Sequence, residues 1–177
     1  MWGRASARPA VAFSLRFMTS CRPSDSWGES LMDATLLRPS SESQQLNFVL
    51  LIMRLACALP LLYHGSGILF GVIGGPGPAN FAAFMHAPAA VGYLVGLAQV
   101  AGGLAILTGA FLRIGAACAI IVMFGAIFLV HLPHGFDINQ GGYEYALTEL
   151  LLAFALLLSG PGTYSLRNAL PVPLRKL

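Results

Sequence analysis

Charge is scarce in this chain. Only 10% of its 177 residues are Asp, Glu, Lys or Arg, against about 25% in an ordinary soluble domain. That scarcity excludes a water-soluble protein with a conventionally hydrated surface. The formal net charge of +3 does not restore a nucleic-acid function, because the basic residues gather into no patch. Cysteine is scarce too: Cys21, Cys57 and Cys118 form no CxxC pair and no zinc spacing, so no metal site is read from them. Cys57 and Cys118 fall at different depths of two apolar runs, which argues against the short Cα separation a disulfide needs. Both read as small packing residues.

What the chain has instead is apolar length. Hydrophobic residues make up 56% of it and its mean hydropathy is +0.74. The apolar runs are Leu46 to Phe70, Pro88 to Ala110, Leu112 to Leu132 and Tyr143 to Ser159. Each approaches or exceeds the roughly 20 residues with which an α-helix crosses hydrocarbon. All are apolar nearly all round, as lipid-facing helices are. The fold class read from this is all-α: an integral-membrane four-helix bundle over residues 46–166, with a basic tail at 167–177.

Residues 1–45 are different material. Arg4, Arg8, Arg16 and Arg22 precede the first acid, Asp25, among Ser, Ala and Pro. Three readings compete: a disordered cytoplasmic tail, an Arg-rich transit peptide, or upstream sequence before a start at Met32. The segment lacks an apolar stretch long enough for a secretory signal. Disorder is the favoured reading.

Orientation follows from basic residues. Arg38 precedes the first run, Arg113 sits between the second and third, and Arg167, Arg175 and Lys176 follow the fourth, whereas the other two loops contain no Lys or Arg. The positive-inside rule therefore places both termini in the cytoplasm. In the first outer loop, Gly74-Gly75-Pro76-Gly77-Pro78 is not helical, and Asn80 is expected to cap a short surface helix carrying Phe81, Phe84 and Met85. Pro133 is expected to end helix three.

Small residues mark the packing faces. Gly92, Gly96, Gln99 and Gly103 share one face of helix two; Gly115, Ala119, Val122 and Ala126 one face of helix three; Ala146, Glu149 and Ala153 one face of helix four. Small residues let helix backbones approach closely in lipid. Pro60 frees the Ala56 carbonyl, and a kink there would widen the bundle beneath His64.

Polar residues within these runs ask for a reason, since an ionisable side chain at mid-bilayer costs at least about 2.5–3.5 kcal/mol. Arg54 lies near the inner side, and its stem is expected to snorkel to the headgroups. Gln99, at mid-depth, reads first as interhelical glue. Nearer the outer side, helix directions bring His64, Gln99, His131, His134, Glu144 and Glu149 toward one pocket. Histidine with carboxylate can shuttle protons, hydrogen-bond a quinone carbonyl or bind a metal. Set against that, His131, His134 and Glu144 also read as solvated loop-edge residues, and His64 and Glu149 as a satisfied interior pair.

The stretch from Arg54 to Ser165 resembles the DoxX family of small bacterial inner-membrane proteins. The landmarks are Arg54, Tyr63-His64-Gly65, Leu69-Phe70-Gly71, Gly102-Gly103, Leu107-Thr108-Gly109, Arg113, and His131 with Gly135-Phe136. Gly141-Gly142-Tyr143-Glu144 and Gly160-Pro161-Gly162-Thr163-Tyr164-Ser165-Leu166 complete the set. The resemblance implies a four-helix fold associated with respiratory or redox chemistry. Some relatives are described as subunits of quinone-linked complexes and others as membrane partners of soluble redox-defence enzymes. This chain departs from the pattern with Gln99 where many relatives carry an acid, Ile68 where many carry Lys, and Arg167 where an Asp often stands.

The expected function is that of an accessory subunit or partner of a redox system in the bacterial inner membrane, with quinone as the cofactor its pocket would bind. The alternatives are a catalytic quinone-linked oxidoreductase subunit, in which His64 and Glu149 handle protons, and a small-solute carrier. Four helices without a broken-helix repeat suit a carrier poorly unless they oligomerise. Expected partners are the lipid bilayer, redox subunits and further copies of the chain.

Overall fold

The computed structural model describes residues 41–172; the proposed tail before Ser41, the start at Met32 and the last basic residues lie outside them. The described part is helical. Helix α1 runs Ser41–Phe70, α2 Gly77–Phe84, α3 Ala89–Thr108, α4 Leu112–Gly125 and α5 Glu144–Ser159. Three stretches are long and apolar enough to cross a membrane: Ser41–Phe70, Ala89–Thr108 and Leu112–His134. With 16 residues, α5 is shorter than the roughly 20 that a perpendicular span needs. α1 starts at Ser41, ahead of the apolar run, so residues 41–45, read as the end of a disordered tail, are helical instead. At 30 residues it extends about 45 Å, longer than a hydrocarbon core of about 30 Å.

The long helices contact one another in the cyclic order α1, α3, α4, α5, and α2 packs on α3 and α1. The small-residue faces largely meet as the spacing predicts: Gly92, Gly96, Gln99 and Gly103 of α3 are all buried, as are Gly115, Ala119, Ala146, Glu149 and Ala153, whereas Val122 and Ala126 of the expected helix-three face are only half-buried. A Cβ added at Gly96 would fall 2.9 Å from the Leu69 backbone, and one at Gly115 would fall 2.6 Å from the Gly102 carbonyl oxygen. Backbones therefore touch where side chains would hold them apart. The opposite faces carry Phe48, Ile52, Leu59, Leu94, Leu104, Phe124, Leu151 and Leu158, all exposed. Apolar surface of this extent is covered by lipid or by another protein.

Two local expectations change. Asn80 is not a cap: α2 is preceded by Pro76, and Asn80 lies one turn inside, its Nδ2 donating back to the Pro76 carbonyl at 3.0 Å. Pro78 takes the first turn, where a missing N–H costs nothing. Pro133 does not simply stop helix three. Beyond Gly125 the chain widens into a π-helix, Ala126–His131, then tightens into a 3-10 turn, Leu132–His134. Pro133 cannot donate to the α ladder, and the hydrogen-bond register changes ahead of it.

Arg54 overturns its expected role. It is 2% exposed and does not reach for headgroups. Its Nε donates to the Ile106 carbonyl at 2.9 Å and Nη2 to Leu107 at 2.5 Å, while Nη1 donates to Pro161 at 3.0 Å and Tyr164 at 2.5 Å. Ile106 and Leu107 belong to the last turn of α3, where carbonyls lack helical partners and the helix dipole is negative. A guanidinium supplies there both the donors and the positive charge. Pro161 and Tyr164 lie in the segment after α5, so one side chain ties α1, α3 and the chain beyond α5 together. Gly109 closes α3 in the left-handed conformation, φ 68, and a Cβ on it would meet the Arg54 guanidinium carbon at 2.9 Å. Only glycine meets both demands.

Replacing Arg54 by Lys keeps the charge but loses the planar fork, leaving some of these carbonyls without a donor. The expected loss is about 3 kcal/mol, taking roughly 1.5 kcal/mol for each charged hydrogen bond lost. It would be read as a lowered Tm in detergent; an unchanged Tm would remove the clamp from the account. Gly96→Val is expected to cost about 1–3 kcal/mol by forcing α1 from α3. Gly125→Ala, whose added Cβ meets nothing within 4 Å, should be neutral or stabilising by up to about 1 kcal/mol.

Candidate functional site

At the end of the helices away from Arg54, α1, α3, α4 with its π-helix, α5 and α2 enclose a cavity of about 590 Å³. Its wall is built by the local structure just described. Pro60, Leu61, His64 and Ile68 come from α1, and Val91, Val95 and Gln99 from one stripe of α3. Phe81, Phe84 and Met85 of α2 cover another side, the face expected of them. The widened turn brings Ala126, Leu129, Val130 and His131 to the wall together. Segments of π-helix are found often beside functional sites.

The lining is apolar except for four side chains: His64, Gln99, His131 and Tyr145. Of the six residues expected to share a pocket, His64, Gln99 and His131 reach this wall; His134, Glu144 and Glu149 are not part of it. His134 is exposed and donates from Nδ1 to the Val130 carbonyl at 3.1 Å. Glu144 accepts from the Ile138 N–H at 3.3 Å and so braces the loop. Glu149 is 4% exposed and lies one turn beyond Tyr145, on the side away from the cavity mouth. It neighbours the Cys57 thiol, and its Oε1 has no partner. The separation has a simple cause. Glu144 and Glu149 are five residues apart on α5, so they face different ways on a 3.6-residue turn, and His134 leaves the helix with the 3-10 turn.

The loop that carries these residues is tightly made. Tyr143 N–H donates to Gly135 O and Glu144 N–H to Phe136 O, each at 3.0 Å. His131 Nδ1 donates to the Gly141 carbonyl at 2.6 Å. A carbonyl only accepts, so the proton sits on Nδ1, and in the neutral ring Nε2 is left as an acceptor. The His64 ring lies edge-on to Tyr63, centroids 5.3 Å apart, and tilted against Tyr145 at 5.9 Å.

Gln99 is 5% exposed, and its Oε1 is buried with no hydrogen-bond partner. It is therefore not the satisfied interhelical glue expected of it. Its Cβ is pressed close to α1, since an added Cβ on Gly65 would meet it at 2.7 Å. A buried amide oxygen without a donor costs about 1–3 kcal/mol. Cys57 and Cys118 are both free thiols. Among the described residues no group of His, Cys, Asp or Glu is placed to hold a metal ion.

Tyr145 is the wall residue that sequence reasoning missed. The signal was present, because Tyr145 lies four residues before Glu149 and one turn along the same face as Ala146, Glu149 and Ala153.

Neither a curated protein nor a solved structure matches the chain. The family model of DoxX matches residues 49–132, which run from early α1 to the start of the 3-10 turn. Arg54, the glycine seam of α3 and the widened turn all lie within that stretch. Three membrane-capable helices together with this match over just under half of the chain support a membrane protein similar to the DoxX family.

Proposed function

We propose that this protein crosses the bacterial inner membrane four times, with both termini in the cytoplasm. On this reading it serves as an accessory subunit or partner of a respiratory or redox system, and binds a quinone in the cavity between His64, Gln99, His131 and Tyr145. Three crossings rest on helices of sufficient length; the fourth, α5, is carried by its packing against α1 and α4 and by lipid-facing Leu151, Phe154 and Leu158. A short span is accommodated by local thinning of the bilayer. The orientation is supported by Arg113 at the α3–α4 turn and by the lack of Lys and Arg in the loop before α5.

The observation that carries the ligand reading is the cavity itself. Its 590 Å³ falls in the range of small-molecule sites, about 300–1,000 Å³, and its apolar wall with a few polar groups has their usual character. A quinone ring presents carbonyls to donors, which the Tyr145 hydroxyl, the Gln99 amide and the His64 ring supply; a quinol presents hydroxyls, which the Gln99 and His131 acceptors take. The catalytic alternative has His64 and Glu149 handling protons, with His64 on the cavity wall and Glu149 off it, one turn beyond Tyr145.

The test is purification in mild detergent from quinone-containing membranes, followed by solvent extraction and chromatography of bound quinone. Bound quinone is expected in the wild type. Gln99→Leu or His64→Ala should weaken binding of a short-chain quinone about tenfold, equal to the loss of one hydrogen bond. Wild-type protein that comes free of quinone and binds none on addition would end this reading. An accessory role further predicts a partner protein retained through the same purification.

A further inference from the structure

We propose that the cavity fills sideways from the lipid, through a slot between α3 and α4. Its occupant would be a neutral, single-tailed amphiphile whose head lies against Gln99 and Tyr145 and whose tail leaves past Gly125. This rests on the ligand-binding reading above and goes beyond it by assigning the route and the chemistry of the ligand's two ends.

The slot follows from how α3 and α4 pack. At the Arg54 end they are in backbone contact, Gly115 against the Gly102 carbonyl. Toward the other end both helices line the cavity, α3 through Val91, Val95 and Gln99 and α4 through Ile121, Val122 and Gly125. Gly125, three turns further along α4, has nothing within 4 Å of the place a Cβ would take, although its φ of −57 is ordinary helix. Glycine at such a position is not required by the backbone and is disfavoured by helix propensity. What it provides there is space.

Ile121 and Leu129 stand one turn to either side of Gly125, on the same stripe. Each is 71% exposed on the lipid-facing surface, and each also lines the cavity. Cavity wall and lipid-facing surface are therefore continuous at this stripe. On the facing helix, Val91, Val95 and Gln99 recur at every fourth residue and line the same space. The slot is thus flanked by aliphatic side chains and ends at a buried amide oxygen that lacks a partner. The remaining sides are walled by α2 through Phe81, Phe84 and Met85 and by the loop through Ile138, Gly141 and Gly142.

The chemistry of the walls selects the ligand. No Lys, Arg, Asp or Glu lines the cavity, so a phosphate or carboxylate headgroup would be desolvated without a counter-charge, at a cost of several kcal/mol. A neutral head with a hydroxyl or carbonyl gains a donor or acceptor at no such cost. A tail left in the slot keeps its contact with lipid and need not fit within the cavity.

The experiment compares two probes in nanodiscs made of neutral lipid: a decyl-tailed ubiquinone analogue and the tailless dimethoxy-methyl-benzoquinone. The wild type is expected to bind the tailed probe at least about tenfold more tightly, and Gly125→Phe is expected to abolish most of that advantage while changing tailless binding no more than about twofold. A tailed probe bound equally well by Gly125→Phe would overturn the slot and leave the ligand reading standing. Failure of the wild type to bind either probe would overturn both. Should Gly125→Phe not fold, a probe with a photoreactive diazirine at the tail end decides on the wild type. Cross-links at Ile121, Gly125 or Leu129 support the slot; cross-links confined to 133–140 overturn it. Anionic lysophospholipid should not compete with the tailed probe; competition at equal concentration would overturn the neutral-head assignment.

Discussion

The Arg54 guanidinium is the constraint on which the rest of the structure depends. A cation within an apolar run is tolerated only if its donors are used, and here they are used on backbone carbonyls, not on an acid. The terminal carbonyls of α3 need donors that α3 cannot supply, and the segment after α5 offers two more. Satisfying all of them with one planar group sets α1, the end of α3 and the start of the last segment at fixed positions. Gly109 then has no freedom, because both its φ and its contact with Arg54 exclude a side chain. A hydrogen-bonded tie of this kind is worth most where water cannot compete for the same groups.

Fixing one end leaves the other free to open. Gly102 and Gly115 draw α3 and α4 together beside the clamp, and further along residues of both helices line the cavity. The change of helical register from Ala126 to His131 sets an extra residue into the turn, so that side chains which an α-helix would spread around its circumference reach the cavity wall together. The cavity is thus the geometric complement of the clamp: tight packing of small residues at one end, a widened helix and a bracing loop at the other.

Much of this was legible in sequence, and the pattern of success is physical. The runs came from apolar length, and the glycine face of α3 and the small faces of α4 and α5 from helical spacing. The convergence of His64, Gln99 and His131 came from counting turns. The readings that changed were those decided by partners far away in the chain. Arg54 alone looks like a snorkelling residue, and only the carbonyls of Ile106, Leu107, Pro161 and Tyr164 show otherwise. Asn80 has the composition of a cap, but Pro76 and Pro78 move the helix start ahead of it. His134 and Glu144 were placed by depth alone, which does not say which way a side chain leaves its helix. The resemblance noted from spacing gains a reason here: Arg54, Leu107-Thr108-Gly109 and Gly160 to Leu166 are distant in sequence and adjacent in space.

The polar atoms left without partners follow the same logic. The carbonyls at the end of α3 find donors in Arg54, whereas among the described residues two buried side-chain oxygens, on Gln99 and Glu149, have no partner. One belongs to a residue on the cavity wall; the other lies one turn behind the Tyr145 ring. An interior that leaves such groups unsatisfied gives up stability at the level where a ligand head would lie. A hydroxyl-bearing head arriving at Gln99 would recover that loss on binding. Binding and stability are then linked, since a ligand held only by the folded state raises the Tm in proportion to its affinity, and the gain would vanish in a protein whose Gln99 had been made apolar.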